Sequence, residues 1–213
     1  MSSVGLSNLY LLKTWLLPAS LLTGTDYDAQ ISAIGKGVAG ALEKHCNRLF
    51  ARTASDTFEC PANRLHVVLP RYPLDAVPTL EQRDNLTDGY VAVTLNDVVI
   101  DYNLKAGLFK FATMPGLDGS RLKFTYTGGY FFETLEPSAQ GYPTATPSGS
   151  TALPDDLLLA WRLQCEHVWT QRDKLGLNIG EKQENTFMGA LSRVKLLDGV
   201  IELLRPYVRY SLT

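Results

Sequence analysis

The three histidines and three cysteines of the chain have side chains that could bind a metal or take part in nucleophilic catalysis. They fall into three groups: His45-Cys46, Cys60 with His66, and Cys165 with His167. A structural zinc site needs four tetrahedral ligands, usually supplied as close pairs, and these spacings do not form such pairs. A cysteine nucleophile would need a base that a third group orients, and no local motif supplies one. The sequence therefore predicts no metal site, no catalytic residue and no cofactor.

Three further patterns begin like binding or catalytic motifs without completing them. The Gly-Lys-Gly sequence at 35–37 lacks the spacing of a phosphate-binding loop. The Asp-Tyr-Asp sequence at 26–28 lacks the later oxygen ligands of a calcium loop. The two aspartates at 155–156 could be a catalytic pair, but carboxylates at a predicted helix start are explained by the helix dipole. A small cytoplasmic enzyme that uses the cysteine and histidine side chains stays open as an alternative function.

The composition limits the class of protein. The 213 residues are 45% hydrophobic and 20% charged, which suits one domain, or one domain with an excursion, and a sizeable core. The net charge of −2 does not indicate a general nucleic-acid-binding surface, so DNA that passes the protein is expected to slide rather than be gripped. An odd number of cysteines without a CxxC spacing favours a reducing compartment. The apolar run at 9–22 contains Lys13 and Pro18 and is too short to span a membrane, and no signal peptide is evident, so we expect a cytoplasmic protein without membrane contact.

Residues 1–55 are predicted to form helices. Leu9, Leu12, Trp15 and Leu16 share one face, and Pro18 ends this first helix. A second helix is expected from Asp26 or Asp28 to about Arg48. Three glycines in it each weaken the helix by up to ~1 kcal/mol relative to alanine, which is tolerated where a neighbour packs closely. That neighbour is either another helix of the same chain or a second subunit, and we predict a subunit interface at Gly35, Gly37 and Gly40.

The remaining chain divides into four predicted segments. In residues 56–132 apolar side chains alternate with polar ones, which indicates an antiparallel β module; the apolar positions are Leu65, Val67, Leu69, Val91, Val93, Leu95, Val98, Ile100, Leu122, Phe124 and Tyr126. Residues 133–153 are a loop rich in Thr, Ser, Pro and Gly, either a solvated insertion or a loop that contacts a partner. A long helix is predicted over 154–175, with a broad apolar face formed by Leu157, Leu158, Trp161, Cys165, Val168, Trp169 and Arg172. Residues 176–213 begin irregularly and end in an apolar stripe that Pro206 stops.

Three short sequences lie where the chain must change direction. Residues 69–74, Leu-Pro-Arg-Tyr-Pro-Leu, with Val77-Pro78 after them, predict a strand that ends at a proline-bracketed corner, because proline cannot donate to a sheet ladder. Residues 126–130, Tyr-Thr-Gly-Gly-Tyr, predict a strand that ends in two glycines and turns. Residues 153–157, Leu-Pro-Asp-Asp-Leu, predict a helix start.

In this order these sequences resemble the head–tail adaptor (connector) proteins of tailed bacteriophages. Cys46-Asn47-Arg48-Leu49-Phe50 precedes them and Leu203-Leu204-Arg205-Pro206-Tyr207 follows, so the resemblance runs from about Asp26 to Tyr210. It implies an α+β fold: a helical adaptor domain, including the long helix from Pro154, with an antiparallel β module and a C-terminal docking arm. Two features depart from the family: the long loop before Leu153-Pro154 and the apolar leader around Trp15.

The resemblance implies a structural virion protein of the phage neck rather than an enzyme. Such a protein forms a ring of roughly twelve subunits on the portal protein, matching the cyclic symmetry of its partner. It extends the DNA channel without reading sequence and receives a stopper or tail-completion protein on its other face. It is assembled in the host cytoplasm. Another ring-forming neck component, a head-closure or tail-completion protein, is an alternative, although a head-closure protein is expected to be mostly β-barrel.

The docking arm of the family corresponds to residues 194–210. The portal-binding residues that this implies are Arg193, Val194, Leu197, Ile201, Leu204, Arg205, Tyr207, Arg209 and Tyr210. Basic residues outnumber acidic ones here, as expected of a strap that lies in an acidic groove. We expect that deletion of residues 193–213 leaves a folded protein that no longer joins the portal. The alternative is a terminal helix that packs on its own domain.

Overall fold

The computed structural model describes residues 8–116, 119–172 and 195–209. They form two compact units. The helical unit contains residues 8–48, 132–145, 153–172 and 195–209, and the β unit contains 49–116, 119–131 and 146–152. The predicted α+β class is confirmed.

Four α-helices build the described part of the helical unit. They are α1 (Leu9–Leu16), α2 (Asp28–Cys46), α4 (Asp155–Thr170) and α5 (Asp198–Leu204), with short 3₁₀ turns at Ala19–Leu21 and Arg205–Tyr207. The side chain of Asn8 caps α1 by accepting from the Leu11 backbone N–H at 2.9 Å. Asn47 ends α2 in the left-handed conformation, φ 50°, which asparagine tolerates better than most residues.

The core of the helical unit lies where α1, α2 and α4 meet. Trp161 is fully buried, donates its indole N–H to the Gly35 carbonyl at 3.0 Å and packs edge-to-face on Trp15. Leu12 of α1 is also fully buried. The apolar leader, for which the sequence indicated no role, is therefore part of this core. Lys13 of α1 pairs with Asp28 at 2.8 Å and satisfies the one charge that the helix carries inward.

The described residues of the β unit form three small sheets. A four-stranded antiparallel sheet has the order β1 (Thr53–Pro61), β7 (Arg121–Gly128), β3 (Thr79–Arg83), β4 (Val91–Val93). A three-stranded antiparallel sheet has the order β2 (His66–Val68), β6 (Leu108–Phe111), β5 (Val99–Asn103). Strands β8 (Tyr130–Phe131) and β9 (Thr151–Ala152) form a parallel pair. A one-turn helix, α3 (Leu95–Val98), connects β4 to β5.

Strand β7 shows why these residues form a sheet. Along it, burial alternates strictly, so that Leu122, Phe124 and Tyr126 face the core, as the two-residue period predicts. Phe124 packs against Phe109 of β6 with ring centroids 5.4 Å apart. The apolar core of the β unit therefore lies between side chains of the two larger sheets.

The structure differs from the sequence prediction at several places. The boundary predicted after residue 55 falls inside β1, because the chain enters the β unit at Leu49. The predicted loop 133–153 divides between the units, since 132–145 belongs with the helices and 146–152 with the strands. Helix α4 ends at Thr170 rather than near 175. Three predicted inward positions are exposed, because they lie at a sheet edge or outside a strand: Leu65, Val91 and Ile100.

Candidate assembly surfaces

Two of the signature sequences meet at one place in the β unit. The proline-bracketed corner lies beside the Gly-Gly turn, and the Gly129 N–H donates to the Pro73 carbonyl at 2.8 Å. The segment after α2 lies against both: the Leu49 N–H donates to Pro70 O at 2.8 Å, and the Tyr130 N–H donates to Phe50 O at 2.7 Å. Residues far apart in sequence thus share one set of backbone hydrogen bonds.

A buried ion pair holds this corner together. Arg71 is 4% exposed and donates through Nε to an Asp56 carboxylate oxygen at 2.9 Å and through Nη1 to the Ala51 carbonyl. The Tyr126 hydroxyl also contacts Asp56, and burial, followed by the neighbouring carboxylate, raises the pKa of this tyrosine. A buried charge is costly unless it is paired, so Asp56 and Arg71 each need the other. The fold therefore requires the arginine of the corner sequence.

The two glycines are required by close backbone approach. A Cβ on Gly129, whose φ is +98°, would lie 2.6 Å from the Ala51 carbonyl oxygen. A Cβ on Gly128 would lie 2.8 Å from the Leu74 side chain. Other residues would be strained or would clash at these positions. The corner and Gly-Gly signatures therefore describe how the β unit is built.

The helix-start and tail signatures meet in the helical unit. The Tyr207 hydroxyl donates to the Asp156 carboxylate at 2.6 Å, and the Arg209 N–H donates to the carbonyl of Cys46, the last residue of α2. The Leu197 N–H donates to the Gln164 side chain at 2.9 Å. Asp156 therefore orients the tail, a role that neither catalysis nor the helix dipole predicts.

The tail is less free than the sequence predicted. Val200 and Leu204 are fully buried against their own chain, so Leu204 is not accessible to a portal as α5 stands. Deletion of residues 193–213 would remove both from the core and should therefore destabilise the helical unit, so the expectation that such a truncation stays folded remains an untested prediction. The predicted end of the helix before Pro206 is confirmed, since α5 ends at Leu204. Three predicted portal-binding residues, Arg193, Val194 and Tyr210, lie outside the described residues.

The other predicted portal-binding residues keep part of their surface exposed. Arg205 is the most accessible, with a side chain 77% exposed beside Glu202 at 3.8 Å. Leu197, Ile201, Tyr207 and Arg209 are half-buried. One side of the tail therefore packs on the helical unit, and the other side faces outward.

The three glycines of α2 lie in different environments. Gly35 is buried, and a Cβ there would lie 2.4 Å from Leu12 Cδ1 and 3.4 Å from Trp161, so packing within the chain explains it. Gly40 is exposed, and a Cβ there would meet nothing within 4 Å. Gly37 is half-buried. The subunit interface stays a prediction for Gly37 and Gly40.

The thiols are placed unlike those of nucleophilic cysteines. All three are buried and free, and burial raises the pKa of both Cys46 and Cys60 to about 11. Burial also raises the pKa of Cys165. A reactive cysteine needs a lowered pKa and access to substrate. Within the described residues no cluster of three or more His, Cys, Asp or Glu side chains could hold a metal, and no helix there is long and apolar enough to cross a membrane.

The long loop of the helical unit is organised by one carboxylate. Glu133 accepts from the Leu135 N–H at 2.8 Å and from the Thr144 N–H at 2.6 Å, and these bonds lower its pKa. Asn8, the cap of α1, donates to the Glu133 carbonyl at 2.9 Å. Residues 133–144 are therefore a hydrogen-bonded loop with a fixed start and end, and both the solvated-insertion and the partner-contact predictions remain untested.

Sequence reasoning missed one exposed apolar pair. Leu159 and Leu163 of α4 are 45% and 36% exposed, one helical turn apart. The sequence does contain a signal for them: both leucines lie outside the predicted apolar face of this helix. A leucine outside that face must point to solvent or to a partner.

Comparison with known proteins identifies the fold. No family model matches the sequence, and no curated protein matches it. One similar chain belongs to the neck of an empty gene transfer agent (GTA) particle, a structure computed with C6 symmetry. Its TM-score is 0.58 at 15% identity. The likeness covers 100% of this chain and 95% of that one.

Two further structures are similar. A chain in the neck of the native GTA particle, computed with C12 symmetry, has a TM-score of 0.51 at 14% identity, covering 100% of this chain and 98% of the other. A chain in the virion of the native gene transfer agent particle has a TM-score of 0.50 at 17% identity, covering 94% and 96%. Such low identities establish the fold alone. The resemblance to phage connector proteins is thus confirmed at the level of the fold, which this chain shares with proteins of the gene transfer agent neck.

Proposed function

We propose that this protein is a structural component of the neck of a phage-like particle, an adaptor ring between the portal and the tail. The observation that carries this proposal is the fold likeness to a neck chain over 100% of this chain and 95% of the other. A likeness over all of this chain and 95% of the other supports the view that the two units together correspond to one neck chain. The arrangement of signature sequences gives independent support, because each lies at a junction that builds this fold.

The proposed ring is cyclic, with copies related head to tail. The similar neck structures were computed with C12 and C6 symmetry. A head-to-tail interface closes into a ring when its rotation is a whole fraction of a turn. The ring would extend the DNA channel, and the net charge of −2 suits a wall along which DNA slides. A stopper or tail-completion protein would bind the face opposite the portal.

We place the portal contact on the outward side of the tail. Ile201 and Leu197 supply half-buried apolar surface there, and Arg205 supplies an exposed charge. The described tail, residues 195–209, carries three basic and two acidic residues, so an acidic portal groove would attract it. Charges of this kind aid encounter more than affinity.

Among the alternatives, the head-closure reading has less support. Such a protein is expected to be mostly β-barrel, whereas α4 alone is 16 residues long and joins α1 and α2 in a helical core. The hypothesis of a small cytoplasmic enzyme has no support from the thiols. Burial raises the pKa of Cys46 and of Cys60, whereas nucleophilic catalysis needs a thiol with a lowered pKa.

Native mass measurement tests the proposal. The full-length protein is measured alone and mixed with the portal protein of the same particle, over a range of concentrations. We expect monomers at low concentration and a ring of roughly twelve subunits at high concentration or on portal contact. A stable twofold dimer under both conditions would contradict the neck-ring function. Host-cell fractionation should find the unassembled protein in the cytoplasm and the assembled protein in particles.

A matched pair of substitutions tests the portal contact. Arg205→Glu changes an exposed charge in the proposed contact, and Lys105→Glu changes an exposed lysine of the β unit outside it. We expect the first variant to bind portal more slowly and the second to bind like the parent. Equal behaviour of the two variants would remove the tail from the contact while leaving the neck-ring function intact.

A further inference from the structure

Helix α4 presents an outward stripe that is unlike its inward face. Asp155, Leu159, Leu163 and Glu166 follow one another at steps of four, four and three residues, so they share one side of the helix. Both leucines are substantially exposed, at 45% and 36%. Arg162 lies beside the stripe and pairs with Glu166 at 2.8 Å, which leaves the stripe with one net negative charge.

Helix α2 presents a different outward stripe. Lys36, Gly40 and Lys44 are exposed and lie four residues apart on one side, with Gly37 next to them. No atom lies within 4 Å of the place where a Gly40 Cβ would be, so the stripe is a shallow groove between two lysines. The two stripes are complementary: one is a pair of leucines between carboxylates, and the other is a groove between ammonium groups.

One copy of the protein cannot bring these stripes together. At about 100° per residue, Leu159 lies opposite Trp161, and Gly40 lies opposite Val38. The inward faces are the ones that pack α2 on α4, where Trp161 Nε1 donates to the Gly35 carbonyl at 3.0 Å. The two stripes therefore point away from each other, and complementary surfaces on opposite sides of a unit suit head-to-tail contact between copies.

We propose that the Leu159–Leu163 stripe of one copy docks on the Lys36–Gly40–Lys44 groove of a second copy. This interface rests on the proposed ring function and names the surfaces that form it. The leucines fill the open space above the glycine, which has no side chain of its own. The lysines meet Asp155 and Glu166 at the two ends. Along the helix axis, Lys36 and Lys44 are roughly 12 Å apart, and Asp155 and Glu166 are roughly 17 Å apart.

Disulfide cross-linking tests the contact directly. Gly40→Cys and Leu163→Cys are introduced together in the full-length chain, where the three native thiols are buried. Mild oxidation should give a ladder of dimers, trimers and higher species on a non-reducing gel, because each copy carries one partner of the bond on each side. Gly40→Cys paired with Leu86→Cys, which is 71% exposed in the β unit, is the control and should give no ladder beyond dimers.

Charged substitutions test the energetic contribution. Leu159→Glu and Leu163→Glu should each weaken self-association by roughly tenfold or more, because each removes buried apolar surface from the contact. Leu21→Glu is the matched control, since Leu21 is an exposed leucine of the same unit at 42%. It should leave both self-association and thermal stability unchanged.

The outcomes separate this interface from the ring function. If the parent protein forms cyclic rings but the cysteine pair gives no ladder and both glutamate variants still assemble, the interface is wrong and the ring function stands. If the parent forms no ring at any concentration or with portal, the ring function itself fails. If a glutamate variant unfolds, Leu163→Ala replaces it. Alanine favours the helix at this exposed position and should still weaken assembly.

Discussion

The corner of the β unit and the C-terminal tail both carry proline-containing signatures, but the structure uses them differently. At the corner, Arg71 is 4% exposed, and its guanidinium has two partners inside the unit. In the tail, Arg205 is 77% exposed in its side chain, and Glu202 lies beside it at 3.8 Å. A signature sequence can therefore mark a junction that the fold needs or a surface that a partner could use. Burial and hydrogen bonding decide which.

The strongest test of this comparison is replacement of the corner arginine. Arg71→Ala removes the guanidinium that pairs with the Asp56 carboxylate, and we expect a loss of about 3–5 kcal/mol in the free energy of unfolding. Urea titration followed by circular dichroism measures it. Arg205→Ala should change stability by no more than about 0.5 kcal/mol, because a surface substitution away from packed features has little effect. Similar losses for the two variants would contradict the distinction.

The buried part of the tail gives the next largest effect. Leu204→Ala removes a fully buried side chain, and we expect a loss of about 2–3 kcal/mol, at the low end of the range for buried leucines because a terminal segment can readjust. Thermal unfolding measures it. Ile201→Ala is the comparison, since Ile201 is half-buried on the same helix and should cost less. If Leu204→Ala is neutral while portal binding is lost, the tail is a free arm after all.

The Gly-Gly turn separates backbone strain from steric clash. Gly129→Ala combines a φ of +98° with a Cβ 2.6 Å from a carbonyl oxygen, and we expect a loss of about 2 kcal/mol. Gly119→Ala has a φ of +95° but nothing within 4 Å, so it should cost only the strain, about 1 kcal/mol. The difference between the two unfolding free energies measures the clash. Equal losses would mean that the corner does not need close approach at Gly129.

The hydrogen bond between Tyr207 and Asp156 gives a smaller effect. Tyr207→Phe removes the hydroxyl that donates at 2.6 Å, and we expect a loss of about 1 kcal/mol. Hydrogen exchange of the α5 amides should rise more than that of α2, because the bond fixes the tail and not the helical core. Uniform exchange changes across the helical unit would show that this bond does not act on the tail locally.

Ionisation of the buried thiols gives the smallest effect, because it changes the free energy of unfolding at alkaline pH and hardly at neutral pH. One of these thiols lies in each unit, so their titration compares the two units. Burial raises the folded-state pKa of Cys46, in the helical unit, and of Cys60, in the β unit, from 9.0 to about 11. The stabilising contribution is complete below pH 9 and is lost between pH 9 and pH 11, because the unfolded thiols ionise first. Denaturation midpoints should fall over this range.

Cysteine variants assign that alkaline loss. Cys46→Ala and Cys60→Ala should each reduce the pH dependence, and the rate at which a disulfide reagent labels the remaining thiol reports which unit opens first. A midpoint that does not change between pH 8 and pH 11 would contradict the burial of both thiols.

Much of the fold could be predicted from short-range patterns. The periods of α1 and α2 and the alternation in β7 locate buried faces, because side chains repeat along helices and strands at fixed intervals. Pro206 marks the end of a helix, and Gly128 and Gly129 mark a turn, for steric reasons that hold in any fold. The strand edges were predicted less well: Val91 and Ile100 continue an apolar pattern yet remain exposed, and both lie in edge strands of their sheets.

The sequence by itself determined the α+β class, the order of the signature sequences and the absence of any complete catalytic motif, since these depend on residue type and spacing. The tertiary structure alone decided that Arg71 pairs with Asp56, that Tyr207 bonds to Asp156 and that Leu204 is buried while Leu159 is exposed. Each of these is a long-range contact or its absence. A one-dimensional pattern identifies which face of a helix is apolar, but packing of distant segments determines what covers that face.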